Sequence, residues 1–392
     1  MKKIAVLFGG RSVEHDVSVI TGMQVIENMD KEKFIPVPVY ITREGKWLSG
    51  ESLGNFATFK KNDFSQAKEV FFKMDPKDPN LYTIEEEGGG LFSKKSAGLK
   101  VYEKIDAIFP ALHGTYGEDG TMQGFLDLMD IPYVGCNTLS AAVGMDKVIM
   151  KEIFRDYGLP VLDFRTFYRN SWKENQEGIL AGAEELGYPL FVKPANLGSS
   201  IGISRVTNRE ELVEAIVLAL HYDRKILVEK AANEPREINA AVLGYENSLA
   251  VSACEEPLGW KELLTFEDKY MSGGKGSKGG KQTSNLRNVP APLDEELQEK
   301  IEKYAMGAFR AIDACGTARI DFLVDDSGVY VNEINTLPGS IGFYLWEPKG
   351  IPMKDLITRL LDLAEERQKD KRANTYTFDS HLFEKTGYGS KL

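Results

Sequence analysis

Near the C-terminal end the chain reads Ala318-Arg319-Ile320-Asp321-Phe322, turns at Asp325-Asp326-Ser327-Gly328 and returns as Val331-Asn332-Glu333-Ile334-Asn335-Thr336. This pattern predicts a β-hairpin. Alternation of side chains along a strand puts Arg319 and Asp321 on a common face of theirs, and likewise Glu333 and Asn335. A short loop centred on Ser327 sets Asp321 opposite Glu333 and Arg319 opposite Asn335, while a loop one residue shorter sets Asp321 opposite Asn332. In the first register two carboxylates, an amide oxygen and a guanidinium meet. All-oxygen ligation suits Mg²⁺. A solvated sheet face with a cross-strand ion pair explains the same residues without a metal.

A second group of residues could hold phosphate. The strand-like Tyr188-Pro189-Leu190-Phe191-Val192-Lys193 places a lysine beside Gly198-Ser199-Ser200-Ile201-Gly202, whose backbone N–H groups and hydroxyls suit a lid over phosphates and equally a hairpin turn. Met271 to Lys281 is glycine-rich with lysines at 275, 278 and 281, and it reads as a closing loop or a solvated linker. No Walker A pattern occurs, so a nucleotide must be held another way. At the N-terminus a strand, Lys3 to Phe8, runs into Gly9-Gly10-Arg11-Ser12 and a helical pattern of Val17, Ile20, Val25 and Ile26. Such a turn can present N–H groups to an anion, but the full dinucleotide spacing is absent.

Composition bounds the rest. A chain of 392 residues exceeds what one core usually serves, which predicts two or three domains. A formal net charge of -11 argues against a nucleic-acid backbone or an anionic membrane as partner. Cys136, Cys254 and Cys315 follow no metal or disulfide spacing and read as buried thiols in a reducing cytoplasm. No apolar run approaches a membrane span, and Gly9-Gly10-Arg11 ends the first one too early for a signal peptide. Phe34 to Tyr40 and Ala107 to Phe109 add buried strands, and their alternation with helices predicts a parallel α/β sheet. Residues 45–100 read as a polar, loop-bearing insertion. A second unit opens near Asn137 with a helix from Ser140 into Arg155, a third runs from about Glu229, and the chain after Arg367 reads as a peripheral tail.

The run His113-Gly114-Thr115-Tyr116-Gly117-Glu118-Asp119-Gly120-Thr121-Met122-Gln123-Gly124 adds a resemblance. It is joined in consistent order by Ser12 to Ser18, Met145-Asp146-Lys147, Val192-Lys193-Pro194, the serine loop, Lys269-Tyr270, Arg319-Ile320-Asp321 and Asn332 to Gly339. Together they resemble the D-alanine–D-alanine ligases of the ATP-grasp superfamily, from Lys3 to about Leu363. The resemblance implies a three-domain α/β ATP-grasp fold: an N-terminal Rossmann-like (pre-ATP-grasp) parallel-sheet domain over 1–136, a central subdomain over 137–228, a C-terminal subdomain with the metal site over 229–370, and a tail over 371–392. It implies a cytoplasmic, ATP-dependent carboxylate-amine ligase that joins two D-alanines through an acyl phosphate for peptidoglycan, and a homodimer is common among members.

The same resemblance implies roles. Asp321, Glu333 and Asn335 would bind two Mg²⁺ ions, with Mn²⁺ as a substitute, and these neutralise charge as the γ-phosphoryl moves. Lys147 and Lys193 would hold the α- and β-phosphates, with Ser199 and Ser200 in the covering loop. Glu229 and Glu237 would contact adenine and ribose, and backbone atoms near Lys230 and Ala232 would complete the base site. Glu14 would pair with the first amino acid's ammonium, although a helix-start carboxylate also suits the macrodipole. His113 would lie near that substrate's carboxylate. Arg319 and the Gly339 N–H would stabilise the tetrahedral oxyanion. Ser199 and Tyr270 would bond to Glu14 across the closed site, excluding water from the acyl phosphate.

One segment departs from the family pattern. Where members carry a serine that helps hold the second substrate's carboxylate, this chain has Ser340-Ile341-Gly342-Phe343-Tyr344-Leu345-Trp346-Glu347-Pro348. Ser340 and Tyr344 are the replacement hydroxyls on offer. Tyr270 favours an amine over a hydroxyl nucleophile. A ligase of a different amino-acid pair is the alternative reading.

Overall fold

The computed structural model describes residues 1–87, 96–258 and 287–379. Three principal sheets organise the chain. The first has five strands in the order Lys68–Glu69, Trp47–Ser49, Phe34–Ile41, Lys2–Gly9 and Ala107–Pro110. Its Lys2–Gly9 strand pairs in parallel with both neighbours. Ile4 to Phe8 are wholly buried, as expected of a parallel strand covered on both faces. The helix His15–Asn28 packs so tightly on this strand that a Cβ on Gly22 would stand 2.6 Å from Phe8.

The second sheet is antiparallel, in the order Ser204–Val206, Leu190–Pro194, Lys225–Lys230 and Phe164–Tyr168. Leu180, Leu212 and Ile216 from its helices pack against Leu190, Val192, Ile226 and Val228. The third, also antiparallel, runs Ser248–Val251, Arg236–Tyr245, Gly316–Asp325 and Gly328–Asn335. Ile301, Ala305, Ala308 and Phe309 of the helix Glu295–Ala311 cover one face, meeting Ile238, Ile320 and Phe322. The final helix Met353–Lys371 contributes Leu356, Ile357 and Leu360 to a core that contains Phe8 and Phe109 of the first sheet and Ala241 and Leu243 of the third. That shared core fixes the N-terminal turn relative to the metal-type hairpin.

Four expectations change. The stretch 45–100 is not a set of loops: it adds Trp47–Ser49 and Lys68–Glu69 to the first sheet, and Phe71–Phe72, Asn80–Glu87 and Ser96–Lys104 form a separate three-stranded sheet. The expected helix from Ser140 into Arg155 is two helices, Thr138–Met145 and Lys147–Asp156, because Asp146 adopts an extended conformation and caps the second with bonds from the Val148 and Ile149 N–H groups. A boundary between 228 and 229 falls inside the strand Lys225–Lys230, which belongs to the second sheet. Arg367 lies within the last helix rather than at its end, since Arg367 and Gln368 bond to backbone carbonyls of Tyr133, Gly135 and Asp130.

Candidate active site

The hairpin reaches the expected register by an unexpected route. Asp325 pairs with Gly328 around a two-residue turn, closed by bonds from the Ser327 and Gly328 N–H groups to the Asp325 carboxylate. This is the shorter loop, which alone would set Asp321 opposite Asn332. A bulge between Asp321 and Phe322 on the pairing ladder absorbs one residue, so Asp321 faces Glu333 and Arg319 faces Asn335. Bulges redirect side chains beside active sites, and this one restores the oxygen-rich face.

On that face the Arg319 fork holds Asp321 at both oxygens, Nε to Oδ1 at 2.6 Å and Nη2 to Oδ2 at 2.8 Å. The Asn335 amide donates to the same Oδ2 at 3.0 Å. Burial opposes the Arg319 charge, yet Asp321 holds the guanidinium well above its usual range. Burial pushes the Asp321 carboxyl up against the pull of Arg319. Lys147 Nζ stands 2.9 Å from Glu333, which with neighbouring acids outweighs burial and raises the ammonium. Asp321 and Glu333 thus each carry a protein cation, and no group of three His, Cys, Asp or Glu among the described residues is gathered as a ready metal cage. Adjacent oxygen donors on one face remain the donor chemistry a hard divalent ion requires.

Lys193 lies on the second sheet with its Nζ 2.5 Å from Glu229. The other Glu229 oxygen receives Lys151 at 2.6 Å. Glu229 is 1% exposed, and both of its carboxylate oxygens are engaged by these lysines. Lys151 escaped the sequence reading, although it follows Lys147 by one helical turn on Lys147–Asp156 and shares its face. The Lys147 N–H donates to Ala195 O at 2.9 Å, which ties this helix to the end of the Lys193 strand. Lys230 ends the strand Lys225–Lys230, Ala232 lies on the connection from it to Arg236–Tyr245, and Glu237 is half-buried at the start of that strand.

Glu14 stands at the N-terminal boundary of the first helix but its side chain makes no capping bond. Its carboxylate instead accepts from the Ser199 hydroxyl. Burial and the charge of Glu118 raise its pKa, against the bond from Ser199 and the nearby His113 and Lys147. Gly114 is required here: it has φ +71°, and a Cβ would lie 2.5 Å from both Glu14 and Ser12. Ser199 and Ser200 both adopt left-handed φ, at 55° and 58°. Tyr270, Lys269 and the lysines at 275, 278 and 281 lie outside the described residues.

Two links to the C-terminal segment carried no role in the sequence reading. Glu118 accepts from the Gly114 N–H at 2.7 Å and from the Leu337 N–H at 3.2 Å, and its Oε2 is 3.8 Å from His113 Nδ1. Thr21 Oγ1 bonds to His113 Nε2 at 2.9 Å and accepts from the Ser340 N–H at 3.2 Å. Gly339 opens the turn Gly339–Leu345, in which Ser340, Ile341 and Gly342 are all left-handed. Ile341 holds that rare β-branched conformation fully buried. Tyr344 donates to Glu255 at 2.9 Å, and burial pushes its phenol up.

Comparison with known proteins fits this geometry. Residues 3–136 match the family model described as D-ala D-ala ligase N-terminus, and residues 153–362 match D-ala D-ala ligase C-terminus. The D-alanine--D-alanine ligase of Thermosipho melanesiensis is 40% identical over 95% of this chain and 96% of its own length. That of Natranaerobius thermophilus is 41% identical over 96% of this chain and 99% of its own. Among solved structures, the D-alanine-D-alanine ligase from Coxiella burnetii superposes with TM-score 0.76 at 27% identity, covering 95% of this chain and 98% of that one. The VanG D-Ala:D-Ser ligase from Enterococcus faecalis gives 0.75 at 32%, covering 93% and 99%. With matched residues running from the N-terminal turn to the last helix, and relatives about 40% identical over nearly the whole chain, the chain belongs to the D-alanine–D-alanine ligase family.

Proposed function

We propose that the chain joins two D-alanines to D-alanyl-D-alanine, converting ATP to ADP and phosphate, and so supplies a dipeptide for peptidoglycan in the cytoplasm. The reading divides the chain into three α/β units, with ATP between the second and third and the amino acids where all three meet. The observation that carries it is the approach of Glu14 on the first unit and Ser199 on the second to a bonded pair. Such a contact gives an ammonium-binding carboxylate a lid that excludes water.

In this reading Glu14 and His113 orient the first amino acid. A carboxylate oxygen attacks the γ-phosphorus, the bond to the β-phosphate breaks, and ADP leaves. Lys147 and Lys193 hold the phosphate oxygens, and Lys151 with Glu229 keeps Lys193 in place. Two Mg²⁺ ions held by Asp321, Glu333 and Asn335 would spread the charge of phosphoryl transfer. The second amine then attacks the acyl carbon, Arg319 and the Gly339 N–H stabilise the oxyanion, and the C–O bond to phosphate breaks. A homodimer, common in the family, is the proposed assembly.

A second reading keeps this chemistry and changes the second amino acid. It rests on the segment Ser340 to Pro348, where Tyr344 is already committed to Glu255 and Ser340 is tethered through its N–H to Thr21. A panel of D-alanine, D-serine, D-lactate and L-alanine as second substrate, with products identified by mass, tests both. Preference for D-alanine supports the first reading, and preference for D-serine supports the second.

A further inference from the structure

Glu255 has no part in the roles above, yet it is a carboxylate only 4% exposed. It pairs with Asn239, Asn239 pairs with Asp321, and Asp321 pairs with Glu333. Directly opposed residues share a face, so Glu255, Asn239, Asp321 and Glu333 form one row across the sheet. Among the described residues Lys147 pairs with Glu333, Arg319 with Asp321, and Arg287 with Glu255 at 3.1 Å. The Arg287 guanidinium also lies 4.6 Å from the Tyr344 ring centroid, and Tyr344 and the Asn239 amide donate to Glu255. Glu255 and Tyr344 act electrostatically on Arg319, and Glu255 also acts on Asp321. Among the described residues, Arg319 is a further cation on which the Glu255 charge bears.

We propose that Arg287 is a positioning residue for the ligation step: it neutralises Glu255 and so leaves Arg319 aligned on Asp321 with its free edge available to the oxyanion. Tyr344 belongs to the same device, because its ring seats the Arg287 guanidinium and its hydroxyl satisfies Glu255. This gives the divergent segment a task other than direct binding of the second carboxylate. The inference rests on the proposed role of Arg319.

The test compares R287A, R287K, E255Q and R287A/E255Q with the parent chain and R319A, using ATP, Mg²⁺ and D-alanine. Dipeptide and ADP are measured separately, and thermal unfolding reports integrity. Arg287 is exposed, so its truncation spares the core. R287A is expected to lower kcat for dipeptide at least about tenfold, with KM for ATP within about twofold and ADP formed in excess of dipeptide. R287K retains most of the rate because the charge persists. R287A/E255Q recovers to within about threefold of E255Q, the coupling expected of a charge pair. A double variant as slow as R287A, an R287K as slow as R287A, or an R287A at the parent rate overturns the inference. If R319A itself makes dipeptide at the parent rate, the role of Arg319 fails instead, and the two failures are separable.

Discussion

The Ser199 hydroxyl donates to the Glu14 carboxylate across 185 positions of sequence. One partner opens the first helix and the other stands in a glycine loop of the second sheet, so the bond ties these two parts of the chain together, and in the proposed function it closes the amino-acid site. Because burial and Glu118 hold Glu14 above its ordinary 4.5, the acid limb of kcat/KM for the first amino acid should lie above that value. Ser199→Ala removes a bond that favours the carboxylate and should move the limb to higher pH. Glu118→Gln removes a neighbouring negative charge and should move it to lower pH. Shifts in the same direction would contradict the assignment of that limb to Glu14.

Lys151 stands on the same helix as Lys147 and is buried with its ammonium against Glu229. Replacing it with methionine leaves Glu229 with Lys193 alone. Breaking a buried pair costs about 3 kcal/mol, which urea unfolding should register as a lower midpoint. KM for ATP should rise in the same variant, because Glu229 then draws on Lys193 without competition. An unchanged midpoint and KM would remove Lys151 from the phosphate site.

Thr21 satisfies both His113 and the Ser340 N–H. Thr21→Val keeps the shape but strands two polar groups, and each costs about 1–3 kcal/mol when left buried and unpaired. Thr21→Ser keeps the hydroxyl and should stay close to the parent in chemical denaturation. Equal stability of the valine and serine variants would show that the bond holds nothing in place.

Metal dependence gives a fourth check. Excess chelator should abolish ADP release, and restored Mg²⁺ should recover it. Glu333→Gln should raise the Mg²⁺ concentration for half-maximal rate at least about tenfold. A variant with the parent's Mg²⁺ dependence would take Glu333 out of the metal set.

The hairpin shows what was legible in the sequence. Alternation places Arg319, Asp321, Glu333 and Asn335 on shared faces and leaves two registers open, and neither loop length foretells the bulge. The shorter turn and the bulge together give the register of the longer loop, because a bulge leaves no trace in an alternating pattern. The helix break at Asp146 was hidden for a different reason: both flanking segments are apolar at helical spacing, and only the capping carboxylate separates them. Glu118 stood inside a motif already quoted, yet its bond to Leu337 crosses 219 positions. Contacts such as Thr21 with Ser340 and Glu255 with Tyr344 depend on how sheets pack, and no local periodicity encodes them. Glu229 carried a role from resemblance alone, and its pairing with both Lys151 and Lys193 had no local sequence signal.

The central claim is an acyl phosphate formed on the first D-alanine, and oxygen transfer tests it directly. D-Alanine labelled with ¹⁸O in both carboxylate oxygens is incubated with unlabelled ATP and Mg²⁺ in ordinary water, and phosphate and dipeptide are weighed by mass spectrometry. The account predicts one ¹⁸O in the phosphate for every D-alanyl-D-alanine formed. Unlabelled phosphate accompanying dipeptide would mean that the carboxylate never bonded to phosphorus, and would contradict it.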